Sequence, residues 1–444
     1  MNTLSKINLF DYQQEQVREA LERNKVLNFS DVGTGKTFVG LELFKQSKCK
    51  KLLVVCLAVK VRDFASDGAK VGLDIKPLDG SPTKRTSDLR ASQCVSISFE
   101  SVWRTEELLN WVDTDTMILI DESHKVKSRG SKVALFMEDL SEKAQLVYLM
   151  TATPITNGHY EDYYQQLKIA KVFKGTWKDF KETYIIEELT TVKLKGGKQR
   201  MFYNIVGYRN IEKLDNTIKS ITVAKKRDID DELIPEDIFI ETKRPTMYKK
   251  LLKTRLITLS DGTVAEMDST SKMFNSLRQL SSGVLKGIDG VMNKDKLLRV
   301  QQIIEENEGE NIVLFYNYDS ELKALKDFLK KLKVPISEYN GHKKNLNNYK
   351  NKDGAIALVH YKSGSTGVND FIKSKICIFF SSPDSSSTYI QAKGRLNRHG
   401  QTRKPVYYHF ITGGTVEHKL FYDNVLEGKD LTDNIINEIV NSEY

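Results

Sequence analysis

Between the apolar run Val26–Phe29 and an amphipathic stretch from Phe38 to Gln46, the chain reads NFSDVGTGKT over Asn28–Thr37. No feature restricts the fold more. A strand enters, a glycine-rich turn follows, and a helix begins near Thr37, so the turn lies at the carboxyl end of a buried strand. The first third of the chain keeps this rhythm. Leu52–Leu57, Val95–Ser98, Met117–Ile120 and Leu146–Met150 are short apolar runs of the kind buried on both faces of a sheet. Helical patterns such as Tyr12–Glu22 separate them. The alternation predicts an α/β lobe with a parallel sheet covered by helices on both faces.

With 444 residues the chain exceeds one ordinary core. The strand rhythm fades from about Tyr160 to Asn293, where longer charged patterns look helical. TTVKLKGGKQR (Thr190–Arg200) reads as a basic hairpin or loop, and Asp228–Glu236 as an acidic loop around Pro235. Strand candidates return at Ile312–Tyr316, Ala355–Val359, Ile376–Ser381 and Val406–Ile411. We therefore expect a first parallel-sheet lobe over residues 1–165, a mainly helical insert and linker over 166–290, and a second lobe over 291–444. No internal repeat of solenoid period is present.

The formal charge of +9 and pI of about 9.0 favour a polyanionic partner. The four cysteines, Cys49, Cys56, Cys94 and Cys377, form no CxxC pair, so neither a zinc site nor a disulfide framework is indicated. Cys56 and Cys377 lie in apolar runs and are expected to be buried thiols. The opening MNTLSKINLF lacks the apolar stretch of a signal peptide, and no run approaches the ~20 residues that cross a bilayer. The expectation is a soluble, cytoplasmic monomer with no membrane contact.

The residue types in the turn suit phosphate chemistry. Gly33 and Gly35, flanking Thr34, let the backbone curl around phosphates, Lys36 reaches the terminal phosphates, and Thr37 holds Mg²⁺. The strict pattern has Gly where Ser30 stands. MILIDESH (Met117–His124) delivers two carboxylates to a strand end, where α/β sites lie. Asp121 is then the candidate for the Mg²⁺ shell and Glu122 for orienting and deprotonating the attacking water. Standing alone, such a pair is an ordinary solvated loop; following a phosphate loop at this distance, it points to ATP hydrolysis.

LMTATPITN (Leu149–Asn157), SGSTGVN (Ser363–Asn369) and QAKGRLNRHGQ (Gln391–Gln401) resemble the third, fifth and sixth motifs of helicase superfamily two. LFDYQQEQV, DESHKVKSRGS and GGTVEHKL narrow the resemblance to its Swi/Snf-type branch, in a compact form similar to bacterial or phage members. The resemblance implies two RecA-like lobes. It implies an adenine-reading role for Gln13 and nucleotide contacts for Gly367, Asn369 and Gln391. It also implies that Arg395 and Arg398, three apart and expected on one helix face, act on the γ-phosphate. Leu57, Phe64, Asp370 and Val223-Ala224 depart from the branch's usual Pro, Trp, Leu and Arg pair.

The branch's nucleic-acid groove corresponds to Ala58–Asp63, Ser98–Val102, Thr151–Thr153, Tyr316–Asp319 and Ser363–Ser365, with Lys60, Arg62 and Lys362 at or beside them. Such segments suit phosphates rather than base edges, so the implied partner is duplex DNA without sequence preference. Trp103 reads as core rather than a base-stacking platform. The expected function is ATP-driven translocation along, or remodelling of, duplex DNA. The alternatives are a strand-separating DNA or RNA helicase, for which Thr190–Arg200 is the visible pin candidate, and a non-catalytic nucleic-acid-binding scaffold. Protein partners and pathway are not legible in the sequence.

Overall fold

The computed structural model describes residues 8–155, 158–193, 199–226, 233–364, 370–398 and 400–426. The chain divides into two compact units, Met1–Arg227 and Asp228–Tyr444.

The first unit is built on β1 (Leu27–Asn28), β2 (Lys51–Cys56), β3 (Lys76–Pro77), β4 (Cys94–Ser98), β5 (Thr116–Asp121) and β6 (Leu146–Met150). A hairpin, β7 (Ile185–Lys193) and β8 (Gln199–Tyr208), precedes β9 (Thr222–Val223). The seven-stranded sheet has the order β3-β4-β2-β5-β6-β1-β9, and every pairing is parallel. The period-2 alternation of side chains divides its apolar runs between two cores. Leu53, Val55, Ile118 and Ile120 face one cluster, with Met137, Leu140 and Leu167 from helices. Leu52, Val54, Met117 and Leu119 face the other, with Leu41, Phe44 and Phe64. Continuous Val/Ile/Leu runs are what a sheet covered on both faces requires, and each such side chain fully buried stabilises by about 1.5–3 kcal/mol.

In the second unit β10 (Glu236–Thr242) is followed by a small pair, β11 (Leu256–Thr258) and β12 (Val264–Glu266). Then come β13 (Ile312–Tyr316), β14 (Ile336–Tyr339), β15 (Lys344–Asn345), β16 (Ile356–His360), β17 (Ile376–Phe379) and β18 (Val406–Thr412). Their sheet runs β10-β18-β17-β13-β16-β14-β15, parallel except at β14–β15. Val313, Phe315, Val359 and Phe379 enter one core, whereas Ile312, Leu314, Leu358 and Ile378 enter the other.

The separate helical insert expected over 166–290 is corrected. Its first part, through β9, completes the first sheet; β10 is an edge strand of the second. The segment also holds the long β7–β8 hairpin, so it is not mainly helical. Sequence periodicity missed β9 and β10 because the first is two residues long and the second is an edge strand with one charged, exposed face. Tyr248, Leu251, Phe274, Leu277 and Leu280 form a small core of their own that takes in Val416.

Cys56 and Cys377 are buried thiols, and burial raises both well above the ordinary thiol range. Trp103 is half-buried against the first core, with Arg104 and Lys132 over its ring at 4.4 and 4.9 Å. Among the described residues, no helix is long and apolar enough to cross a membrane.

Candidate nucleotide site

The first sheet brings the phosphate loop, the acidic pair and the Thr151–Thr153 turn together at one edge. The loop follows β1, Asp121 ends β5, and Thr151 follows β6, the strand between them. Ala58–Asp63 and Ser98–Val102 follow β2 and β4, so the groove segments expected in this unit share that edge. In the second unit Tyr316–Asp319 begins at the last residue of β13, and Ser363 stands three residues past β16.

Gly33 and Gly35 adopt φ of +84° and +76°, a left-handed backbone that side chains disfavour. A Cβ at Gly35 would lie 2.3 Å from Gln13 Nε2. Gln13 is packed onto the loop: its Nε2 donates to the Thr34 carbonyl at 3.0 Å, and its Oε1 accepts from the Phe10 N–H at 3.0 Å. Tyr12 donates its hydroxyl to the same Thr34 carbonyl at 2.9 Å. The Thr34 hydroxyl donates to the Asp31 carbonyl at 2.8 Å, closing the turn. The helix Lys36–Gln46 begins as the turn ends, with Thr37 its second residue.

Lys36 is half-buried, and its Nζ donates to the Ser30 and Asp31 carbonyls at 2.8 and 3.0 Å. Desolvation lowers its pKa, against the fields of Glu122, Asp121 and Asp31. Asp121 is 7 % exposed, and burial raises its carboxyl above the ordinary range; Glu122 adds to this while Lys60 and Lys36 oppose it. Lys60, expected beside the nucleic-acid groove, therefore exerts its field on Asp121 and Lys36. Glu122 holds φ 61° and ψ 56°, a left-handed conformation that costs a non-glycine residue roughly 1–2 kcal/mol.

Glu122 is wired to the neighbouring strand end. Thr151 Oγ1 lies 3.3 Å from Glu122 Oε2 and 3.1 Å from His124 Nδ1, and it accepts from the Thr153 N–H at 3.1 Å. His124 Nδ1 also lies 3.4 Å from Glu122 Oε2. Burial holds the imidazole pKa near 3, so the ring is neutral at physiological pH. The tautomer that donates from Nδ1 completes a chain from His124 to Thr151 to Glu122. Ser123 donates to Gln166 Oε1 at 2.7 Å, and Gln166 Nε2 donates to the Pro154 carbonyl at 2.7 Å. These ties between the acidic motif and the TATP turn involve residues far apart in sequence, which sequence patterns pair only by analogy.

The residues fit Mg²⁺ and a nucleotide phosphate. A buried carboxylate, a loop that a Cβ would obstruct, and an amine resting on loop carbonyls are complementary to a dication and a polyanion. Among the described residues no group of three or more His, Cys, Asp or Glu could hold a metal; Asp121 and the Thr37 hydroxyl are the oxygen donors that would hold Mg²⁺ beside phosphate and water.

In the second unit Gln391 lies in the helix Ser386–Lys393 and is buried. The expectation that Arg395 and Arg398 share a helix face is corrected. The helix stops at Lys393, Gly394 is its cap, and both arginines lie in the turns beyond. Gly394 weakens helix continuation, and Leu396, fully buried, draws the chain inward. Arg395 is buried at 8 % exposure and Arg398 is half-buried. The turn is fastened at both ends. Lys393 Nζ donates to both Asp237 oxygens at 2.7 Å. Gln401 donates to the Ser374 carbonyl at 2.9 Å and accepts from the Thr402 and Arg403 amides at 3.1 Å. Thr156, Asn157, residues 194–198, residues 227–232, Ser365, Gly367, Asn369 and His399 lie outside the described residues.

The family model described as SNF2-related domain matches residues 24–283, and that described as helicase conserved C-terminal domain matches residues 295–400. The chain is 23 % identical to the SWI/SNF-related matrix-associated actin-dependent regulator of chromatin subfamily A-like protein 1 of Drosophila melanogaster, over 95 % of this chain and 55 % of that protein. It is 22 % identical to the DNA repair protein rhp54 of Schizosaccharomyces pombe, over 90 % of this chain and 54 % of that one. It thus spans about half the length of these curated relatives. The Sulfolobus solfataricus SWI2/SNF2 ATPase core, solved in complex with dsDNA, aligns over 99 % of this chain and 98 % of that chain at 19 % identity and a TM-score of 0.45. Since the SNF2-related model spans more than half of its residues, the chain belongs to the SNF2-related family.

Proposed function

We propose that the protein is a Mg²⁺-dependent ATP hydrolase that couples turnover to movement along, or remodelling of, duplex DNA without sequence preference. The observation that carries the reading is the first sheet's edge, where Lys36, Asp121 and Glu122 converge beside the Thr151–His124 chain. Lys36 exchanges its loop carbonyls for phosphate oxygens. Thr37 and Asp121 would hold the metal, which when bound would neutralise charge on the phosphates. Glu122, held by Thr151, orients and deprotonates the attacking water. Gln13 braces the loop and reads adenine. Arg395 and Arg398 are our candidates for acting on charge that develops in the transition state, and Gln391, Gly367 and Asn369 for further nucleotide contacts.

The positive net charge and the phosphate-suited segments support a nucleic-acid activator, as do relatives named for DNA repair and chromatin regulation. We take the protein to work as a cytoplasmic monomer. Strand separation has one observation in its favour, the long β7–β8 hairpin of the first unit. Phosphate release is to be followed while duplex DNA, single-stranded DNA and structured RNA are titrated at equal nucleotide concentration. Strongest stimulation by duplex, with triplex displacement and no strand displacement, is expected. Stimulation by RNA alone overturns the DNA reading, strand displacement favours the helicase reading, and absence of any hydrolysis favours the scaffold.

A further inference from the structure

Ser30, which stands where the strict phosphate-loop pattern has glycine, is completely buried, and its hydroxyl is a junction. It accepts from Gln16 Nε2 of the first helix at 2.9 Å and from the Lys225 main-chain N–H at 3.0 Å. Lys225 lies at the end of the first unit, whose last residue is Arg227. The β1–β9 ladder runs on into the loop: the Phe29 N–H donates to the Val223 carbonyl and the Asp31 N–H to the Lys225 carbonyl, each at 3.0 Å. Lys225 is therefore held on both its N–H and its C=O by Ser30 and Asp31. These are the two residues whose carbonyls receive the Lys36 amine. A second tie runs in parallel. The Lys225 amine lies 5.6 Å over the Tyr12 ring, and Tyr12 donates to the Thr34 carbonyl.

We propose that Ser30 is a positioning residue that transmits the state of the phosphate loop to the segment Thr222–Lys226 at the end of the first unit. A phosphate competes with the Ser30 and Asp31 carbonyls for Lys36. When the amine leaves, those peptides lose a cationic donor and are free to adjust, and both peptides carry Lys225. The Asp31–Lys225 bond is main chain and survives any substitution. The Ser30 hydroxyl is the part that depends on the side chain. A glycine there offers no acceptor to Gln16 or to Lys225, so the tie between the loop and the segment is weakened to its main-chain bonds.

This proposal rests on the ATPase reading, and its test separates the two. Ser30→Ala and Ser30→Thr are compared with the unaltered full chain in three measurements: ATP affinity, phosphate release with and without duplex DNA, and hydrogen exchange of the amides of residues 220–226 with and without ATP. In Ser30→Ala the ratio of DNA-stimulated to basal rate is expected to fall about tenfold, within the usual range of coupling between sites. The loss falls on that ratio rather than on ATP affinity. The Lys225 amide also stops responding to nucleotide, and Ser30→Thr, which keeps the hydroxyl, restores both behaviours. A wild-type ratio in Ser30→Ala overturns the proposal, as does an equal loss of affinity and rate that Ser30→Thr does not rescue. If the unaltered chain binds ATP without hydrolysing it, the ATPase reading fails. In that case a Lys225 amide that ignores nucleotide overturns the coupling, and one that responds only while the hydroxyl is present upholds it.

Discussion

Lys36 and Lys296 both lie beside the carboxyl end of a parallel strand, and they are held in opposite ways. Lys296 is 3 % exposed; it reaches both oxygens of Glu417 at 2.8 and 2.7 Å and the Phe380 carbonyl at 2.9 Å. Glu417 in turn accepts the Ser382 and Thr412 amides at 3.2 and 3.0 Å. Every charge there is answered within the second unit. Lys36 instead rests on two loop carbonyls, while the carboxylates of Asp121 and Glu122 stand near it without a direct bond to it. The difference separates a finished structural pair from one open to exchange: the first has no reason to release its partner, whereas in the proposed function the second trades weak neutral acceptors for a polyanion.

The largest effects should come from the exchangeable side. Lys36→Ala is expected to lower ATP hydrolysis by about 10³-fold or more and to weaken nucleotide binding, because a phosphate contact is lost in both ground and transition states. Glu122→Gln should also abolish turnover while ATP still binds. Arg398→Ala is expected to cut hydrolysis by about 10³–10⁵-fold with ATP affinity held within severalfold, and Arg395→Ala to behave similarly. Steady-state phosphate release and nucleotide titration distinguish these outcomes. Hydrolysis at the wild-type rate in Glu122→Gln removes the assigned base.

On the finished side, Lys296→Ala should leave ATP affinity little changed but destabilise the second unit by about 3–5 kcal/mol, since Glu417 is left buried and unpaired. The double variant Lys296→Met with Glu417→Gln, which keeps an acceptor for the Ser382 and Thr412 amides, should recover part of that loss in urea unfolding. If the double variant is as unstable as the single one, the pair's packing rather than its charge is what matters.

Gly35→Ala lies between the extremes. The left-handed backbone costs about 1–2 kcal/mol, and the new methyl displaces the Gln13 amide, so both melting temperature and ATP affinity should fall. Adding Gln13→Ala should return part of the melting temperature, though not the affinity, if the clash is the cause.

The effect that is smallest at neutral pH, and grows only in acid, concerns His124. His124 has its pKa lowered from 6.5 to about 3, so the folded unit binds one proton fewer than the unfolded chain in that window. Its contribution to stability is complete above pH 6.5 and is lost as pH falls toward 3, at up to about 1.4 kcal/mol per pH unit. His124→Asn should flatten the acid limb of the stability profile by up to that slope. An unchanged limb means that the imidazole is not held neutral.

The sequence by itself determined the two parallel sheets, because continuous apolar runs at strand length have few other ways to leave water. It also placed the glycine-rich turn and the acidic pair at strand ends, because those motifs are local: glycines, a lysine and two carboxylates within a few residues of a strand. Tertiary structure alone decided that β9 and β10 belong to different sheets. Strands so short or so charged acquire their place only from the neighbours they pair with, and so the expected boundaries at 165 and 290 gave way to one division at residue 227. It also decided that Arg395 and Arg398 sit in a turn held by Lys393 and Gln401, since a helix ends where burial of Leu396 and the cap at Gly394 outweigh the periodicity of the string. Likewise, Ser30 reads in the sequence as a one-residue departure from a pattern. Only the fold brings Gln16 and Lys225 to its hydroxyl, because hydrogen bonds between segments 195 residues apart depend on the packing of the sheet and leave no periodic trace in the chain.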